Sequence, residues 1–177
     1  MRLLSRAMIL EALEALACEL AAMGTRRQEE ILLAGGAALV LMYNAREATR
    51  DVDFCSVATG SSAALRQAAR RVAVALELPD DWLNDGAKGY LKGLLPGEVL
   101  LDRPALLVRA LGSQQLLAMK LSAWRDDVDI SDARLLLAEV QGSREEVWSA
   151  IEPFLVPGRE LKARYAFEDL WESIHGS

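Results

Sequence analysis

Cysteine is scarce, and what there is of it is isolated. Cys18 and Cys55 each fall inside an apolar periodic segment, without the spaced Cys or His partners that a zinc site or a disulfide framework requires. Neither is expected, and the cytoplasm is the compartment implied. No stretch approaches the roughly 18–20 consecutive apolar residues of a transmembrane helix, so no membrane partner is expected. Positive charge is also short: 20 Lys and Arg stand against 26 Asp and Glu, a net charge of -6. That balance argues against tight non-specific nucleic-acid binding, which depends on many cations displacing phosphate counterions, although it leaves room for a local basic strip. Internal repeats and low-complexity linkers are absent.

What is present is a chain of 177 residues, 52% hydrophobic and 26% charged, long enough to bury a substantial core. The apolar start Met1-Arg2-Leu3-Leu4 is interrupted at helical spacing by Arg6, Glu11, Glu14 and Glu19, which predicts an amphipathic helix and not a signal peptide. Ile9, Leu13, Leu16, Leu20 and Met23 form its buried stripe, and Gly24 ends it. Next come a short apolar run over Ile31 to Ala34, the pair Gly35-Gly36, and an apolar helix from Ala37 to Tyr43. The segment from Asp51 to Val57 alternates with a period of two, as a strand does, and ends toward a turn at Gly60-Ser61-Ser62. A helix over Ala64 to Leu76 follows, then a loop with a short helical turn from Leu78 to Gly86, a break at Pro96-Gly97, and strands near Val99 to Leu101 and Leu106 to Ala110. Beyond Ser113 only helices are predicted: Leu116 to Trp124, Ile130 to Val140, one opened by a Ser143/Glu146 capping box, and a last one carrying Tyr165, Phe167, Leu170 and Trp171. The expected fold class is α+β, with an α/β core over residues 1–112 and a helical region over 113–177.

The chemistry lies in two spacings. Asp51 and Asp53 are two apart on a strand, so both carboxylates face one side while Val52 and Phe54 face a core. Paired carboxylates suit a hard divalent cation such as Mg2+ or Mn2+, whose remaining positions are taken by water and substrate phosphates. Gly35-Gly36 stands between a strand and a helix, where the missing side chains let a triphosphate approach the backbone and the helix N-terminus supplies N–H donors. Taken singly, a Gly-Gly is a turn and an Asp-x-Asp a solvated edge; their order together is what informs.

Leu33-Ala34-Gly35-Gly36-Ala37-Ala38-Leu39-Val40-Leu41 followed by Thr49-Arg50-Asp51-Val52-Asp53-Phe54 resembles the minimal signature of the polymerase beta-type nucleotidyltransferase superfamily. The Thr-Arg-Asp-x-Asp form is similar to nucleotidyltransferase toxins of AbiEii-type toxin-antitoxin systems and to small bacterial relatives. A second block, Leu116 to Arg125 and then Asp129 to Leu137, resembles their helical segment with its lysine and downstream aspartates. The resemblance implies a mixed sheet with helices, and Asp51 and Asp53 as catalytic metal ligands for Mg2+ or Mn2+. It implies that Gly35, Gly36, Thr49, Arg50 and Lys120 bind the nucleotide, and that Asp129 or Asp132 orients Lys120 or assists proton transfer. Read from the residues alone, Lys120 either snorkels to solvent or reaches a cleft, and Asp129 and Asp132 are carboxylates at a helix start, where they stabilise the dipole and cap free N–H groups.

In active members of the superfamily a later strand carries a third acid. Here Leu106-Leu107-Val108-Arg109-Ala110 carries an arginine, with Glu98 and Asp102 the nearest carboxylates. The function implied is Mg2+-dependent transfer of a nucleotidyl group from an NTP to a hydroxyl of RNA, a protein or a small molecule. The alternative is a non-catalytic nucleotide-binding or interaction module, in a toxin-antitoxin or defence setting with a protein partner, or as a homodimer. Two smaller features carry bland readings beside functional ones. Trp82-Leu83-Asn84-Asp85 is either a capped turn around a packed tryptophan or a lining with Asn84 or Asp85 on base or ribose. Arg66, Arg70 and Arg71 are either a solvated face or an RNA-backbone contact.

Overall fold

The structure is a computed structural model describing residues 3–25, 27–57 and 63–176. The turn expected at Gly60-Ser61-Ser62, and Met1 and Arg2 of the N-terminal stretch, lie outside these residues. The fold is α+β. Among the described residues there are seven α-helices, a five-stranded mixed sheet and a small two-stranded sheet. The chain divides into two compact units, one of Met1–Ala87 with Pro96–Leu111, the other of Lys88–Leu95 with Gly112–Ser177.

The first unit holds both sheets. Strand β1 (Leu4–Ser5) leads into helix α1 (Arg6–Ala22), whose N-terminus is capped by Ser5 Oγ accepting from Met8 N–H at 3.3 Å. Of the predicted stripe, Ile9, Leu13, Leu16 and Leu20 are fully buried, while Met23 is the helix C-cap and only half-buried. Then come β2 (Glu29–Leu33), α2 (Gly35–Tyr43), β3 (Ala48–Thr49), β4 (Val52–Ser56) and α3 (Ala63–Ala75). Strands β5 (Leu83–Asn84), β6 (Pro96–Arg103) and β7 (Leu106–Leu111) complete the unit. The large sheet runs β5-β4-β2-β7-β6, with β2 antiparallel to β4 and parallel to β7.

Burial explains why these segments are strands. Ile31, Leu32 and Leu33 of the central strand and Val52 of β4 are fully buried, each such side chain stabilising the fold by about 1.5–3 kcal/mol. Helices α1 and α3 pack on one another, α3 burying Leu65, Ala68, Ala69, Val72 and Ala73. Pro96-Gly97, expected to be a break, instead begins β6. A proline is tolerated there because β6 is an edge strand and Pro96 its first residue.

The second unit is helical apart from the segment 88–95. It contains α4 (Ser113–Ala123), α5 (Asp127–Glu139), α6 (Arg144–Ile151) and α7 (Glu160–His175). Helix α4 is its centre, packing against α5, α6 and α7, and buries nearly every residue from Gln115 to Ala123. The capping box at Ser143 and Glu146 is present with both hydrogen bonds. Phe167 of α7 is buried between Trp148 and Trp171, with ring centroids 5.3 and 5.6 Å apart. Gln115 ties the 88–95 segment to this unit: Oε1 accepts from Leu95 N–H at 2.7 Å, and Nε2 donates to the Gly93 carbonyl at 2.9 Å.

Candidate functional site: two carboxylates beside a glycine-initiated helix

The site of the first unit forms where β2 hands over to α2 beside the start of β4. Ala34 stays extended, and its N–H donates to the Asp53 carbonyl at 2.9 Å, which joins the end of β2 to β4. Gly35 then turns the chain into α2 with φ +57°, a left-handed conformation that costs an L-residue about 1–2 kcal/mol. Space is a second constraint. A β-carbon on Gly35 would lie 2.9 Å from Asp53 Oδ2, and one on Gly36 would lie 2.5 Å from Thr49 Oγ1 and 3.6 Å from the Arg46 guanidinium carbon. Neither glycine can carry a side chain while these groups stay where they are. Ala34, at the N-cap of α2, offers no side-chain cap and the first turn holds no acid, so the nearby Asp53 carboxylate is the negative charge close to this helix end. The helix ends at Asn44, whose left-handed φ of 50° suits asparagine.

Asp51 and Asp53 are half-buried. Their neighbour is Asn84 on β5, which pairs in parallel with β4 so that Asp53 and Asn84 are register partners. Asn84 Nδ2 donates to Asp51 Oδ2 at 3.0 Å, and Asn84 Oδ1 accepts from Gly86 N–H at 2.8 Å. Gly86 itself is crowded: a β-carbon there would lie 2.8 Å from Asn84 Oδ1 and 3.3 Å from Asp53 Oδ1. The two oxygens of Asp53 thus face glycine backbone on two sides. Trp82 anchors the preceding turn, fully buried with its indole N–H on the Ala69 carbonyl at 3.0 Å, while its own carbonyl accepts from Val52 N–H at 2.6 Å. The packed-tryptophan reading of this loop holds, and Asn84 reaches the acids as well.

Of the residues singled out from sequence, Gly35, Gly36, Thr49, Asp51 and Asp53 come together here. Arg50 is exposed, and it is Arg46, which the sequence offered no reason to choose, whose guanidinium lies against Gly36. Arg109 stands in one row across the sheet with Leu32 and Cys55, so by strand alternation it shares a face with Asp53. It pairs with Glu30 at 3.3 Å and donates to the Gly97 carbonyl. Asp102 is level with the opposite end of β2, through Leu107 and Glu30, and accepts from Gln28 at 2.8 Å; Glu98 is exposed on β6. Among the described residues, no group of three or more His, Cys, Asp or Glu side chains is placed to hold a metal ion. Arg71 pairs with Glu19 at 3.2 Å on the exposed face of α3.

Lys120, Asp129 and Asp132 meet in the second unit. Lys120 Nζ lies 2.9 Å from Asp129 Oδ1 and 2.7 Å from Asp132 Oδ2, and both carboxylates are buried. Asp129 also accepts from the Arg125 backbone N–H at 3.1 Å and from Arg125 Nε at 3.0 Å. Burial by itself would raise the Asp129 carboxyl, but the hydrogen bonds from Arg125 and Lys120 outweigh it and hold the group at about 2. The start of α5 is closed by Asp126, which accepts from Asp129 N–H at 3.0 Å. The helix-cap role weighed for Asp129 therefore belongs to Asp126, while Asp129 turns its carboxylate to the cations.

Two carboxylates near a helix N-terminus are the donor set that a divalent cation carrying phosphates would require. No helix among the described residues is long and apolar enough to cross a membrane. Comparison with models of known protein families, with curated proteins and with solved structures found no match to this chain.

Proposed function

We propose that the first unit binds a nucleoside triphosphate with Mg2+ and transfers its nucleotidyl group to a hydroxyl acceptor, as the polymerase beta-type resemblance implies. The observation that carries the reading is the approach of Asp53 Oδ2 to within 2.9 Å of the β-carbon position of Gly35, at the N-terminus of α2. The Asp53 carboxylate and the start of α2 then border the same small space, which suits a cation and the phosphates it accompanies. Both glycines bring bare backbone up against polar side chains, Gly35 against Asp53 and Gly36 against Thr49.

In this reading Asp51 and Asp53 hold the cation and the amides at Gly35 and Gly36 hold phosphate oxygens. Thr49 Oγ1 and Arg46 lie against Gly36. The acceptor oxygen forms a bond to the α-phosphorus as the bond to the leaving pyrophosphate breaks; the acceptor proton passes to water. When bound, Mg2+ supplies charge neutralisation on the phosphate oxygens. The chain's own contribution is orientation and a fixed field from the helix terminus. No step is assigned to Lys120, whose charge Asp129 and Asp132 already match.

A second reading is favoured by one observation. Arg109, paired with Glu30, stands on the carboxylate face in the strand where active members of the superfamily carry a third acid, which suits a nucleotide-binding module without turnover. Calorimetric titration of each NTP with Mg2+ or Mn2+, against wild type and an Asp51→Ala, Asp53→Ala double variant, tests the site. Metal-dependent binding lost in the variant is expected. Equal binding by both proteins, or none by wild type, would remove the site assignment, and pyrophosphate release with an acceptor separates enzyme from module.

A further inference from the structure

Asn84 makes an unusually complete set of hydrogen bonds for a side chain on a two-residue edge strand. One oxygen accepts from Gly86 N–H at 2.8 Å, while the amide nitrogen donates to Asp51 Oδ2 at 3.0 Å and to the Asp81 carbonyl at 3.3 Å. Donor and acceptor ends are therefore both committed, and a flipped amide would set oxygen against oxygen and N–H against N–H. Asp51, in turn, is the residue just before β4 and is not itself in the strand ladder. Its side chain accepts a hydrogen bond from Asn84. The group reached across the β4–β5 register, where a third acid could have stood, is a neutral amide.

We infer that Asn84 is a positioning residue for the cation site: its amide holds the Asp51 carboxylate in place beside Asp53, and its neutrality limits the cluster to two negative charges. The inference rests on the reading of Asp51 and Asp53 as cation ligands. An N–H donated to one carboxylate offsets part of the repulsion between two like charges when no cation is present. With only two charges, the site favours a cation that arrives already carrying phosphate oxygens, over the bare ion. Asn84 thus ties the site to the metal–nucleotide complex as its ligand.

The experiment measures Mn2+ affinity by electron paramagnetic resonance, with and without ATP, for wild type, Asn84→Ala, Asn84→Asp and Asp53→Asn, with thermal unfolding in chelator beside each. Outer-shell partners of metal ligands typically contribute ten- to a hundredfold in affinity, so Asn84→Ala should weaken Mn2+–ATP binding by roughly that factor. Asn84→Asp keeps an acceptor for Gly86 N–H but turns a third carboxylate on Asp51. It should unfold at a lower temperature in chelator and yet bind Mn2+ more tightly without ATP than wild type does. Opposite signs in this variant mark the neutrality of Asn84 as what limits the charge of the cluster, and they remain readable if Asn84→Ala does not fold; loss of Mn2+–ATP affinity in Asn84→Ala at retained stability marks the positioning role. Wild-type affinity in both Asn84 variants, with binding lost in Asp53→Asn, would overturn the role of Asn84 and leave the cation site standing. Absence of Mn2+ binding in wild type, with and without ATP, would overturn both.

Discussion

Asp53 Oδ2 occupies the space in which any side chain at position 35 would have to begin, 2.9 Å from the β-carbon that Gly35 lacks. Backbone conformation and carboxylate position are therefore coupled at one residue. Gly35→Ala meets both a φ of +57° and the carboxylate, so it should destabilise the protein by about 1–3 kcal/mol in urea unfolding. It should also abolish metal-dependent NTP binding at temperatures where the variant is still folded. Gly24→Ala is the control: its φ of +68° imposes a similar strain, but nothing lies within 4 Å, and NTP binding should be retained.

Lys120 neutralises two buried carboxylates at once. Lys120→Met leaves Asp129 and Asp132 without that charge in the interior of the helical unit, a change expected to cost about 3–5 kcal/mol. Adding Asp132→Leu should recover much of the loss, since apolar replacements of a buried ion group are close to neutral. Chemical denaturation of the single and double variants measures the difference.

Acid should loosen the same cluster. The folded Asp129 carboxyl is held at about 2, below its ordinary 3.8, so the stability it contributes is fully present above about pH 4 and is lost as pH falls toward 2. The contribution is on the order of 2 kcal/mol. Unfolding free energy measured from pH 6 down to pH 2.5 should fall, and Asp129→Asn should flatten that fall while lowering stability at pH 6. An unchanged slope in the variant would assign the acid sensitivity to other groups.

Gln115 is fully buried, and its amide both accepts from and donates to the backbone of the 88–95 segment. Gln115→Leu leaves Leu95 N–H and the Gly93 carbonyl without that partner, at about 1–3 kcal/mol. Hydrogen exchange should accelerate at Leu95 ahead of the α4 amides, showing that the segment is released before the helix opens.

The parts of this architecture that follow local rules could be read in advance. The capping box at Ser143 and Glu146 needs only a spacing of three, and strand β4 only a period of two, although Asp51, read as its first residue, stands just before it. The α1 stripe failed only at Met23, where the helix terminates and burial no longer follows periodicity. What could not be read depends on partners distant in sequence. Strand β5 is two residues long and exists through pairing with Val52 and Asp53, so the Asn84–Asp51 bond has no local signature. Arg46, not the exposed Arg50, lies at Gly36, and the short β3 between them forms only by pairing with β1, more than forty residues earlier. Similarly, nothing in Lys88–Leu95 marks it as belonging with the helices; Gln115, twenty residues past Leu95, does that.

That interleaving constrains the order in which the newly made chain can become organised on the ribosome. Residues 88–95 emerge before 96–111, yet their anchor on α4 emerges after both. The early strands must leave this octapeptide as an unsatisfied loop, pinned at each end by β5 and β6, until Gln115 is synthesised and takes it up. A ribosomal pause that leaves Leu111 just clear of the exit tunnel would therefore hold back only the second unit, and a nascent chain stalled there should be cut by protease within 88–95 before any other described segment between α1 and β7.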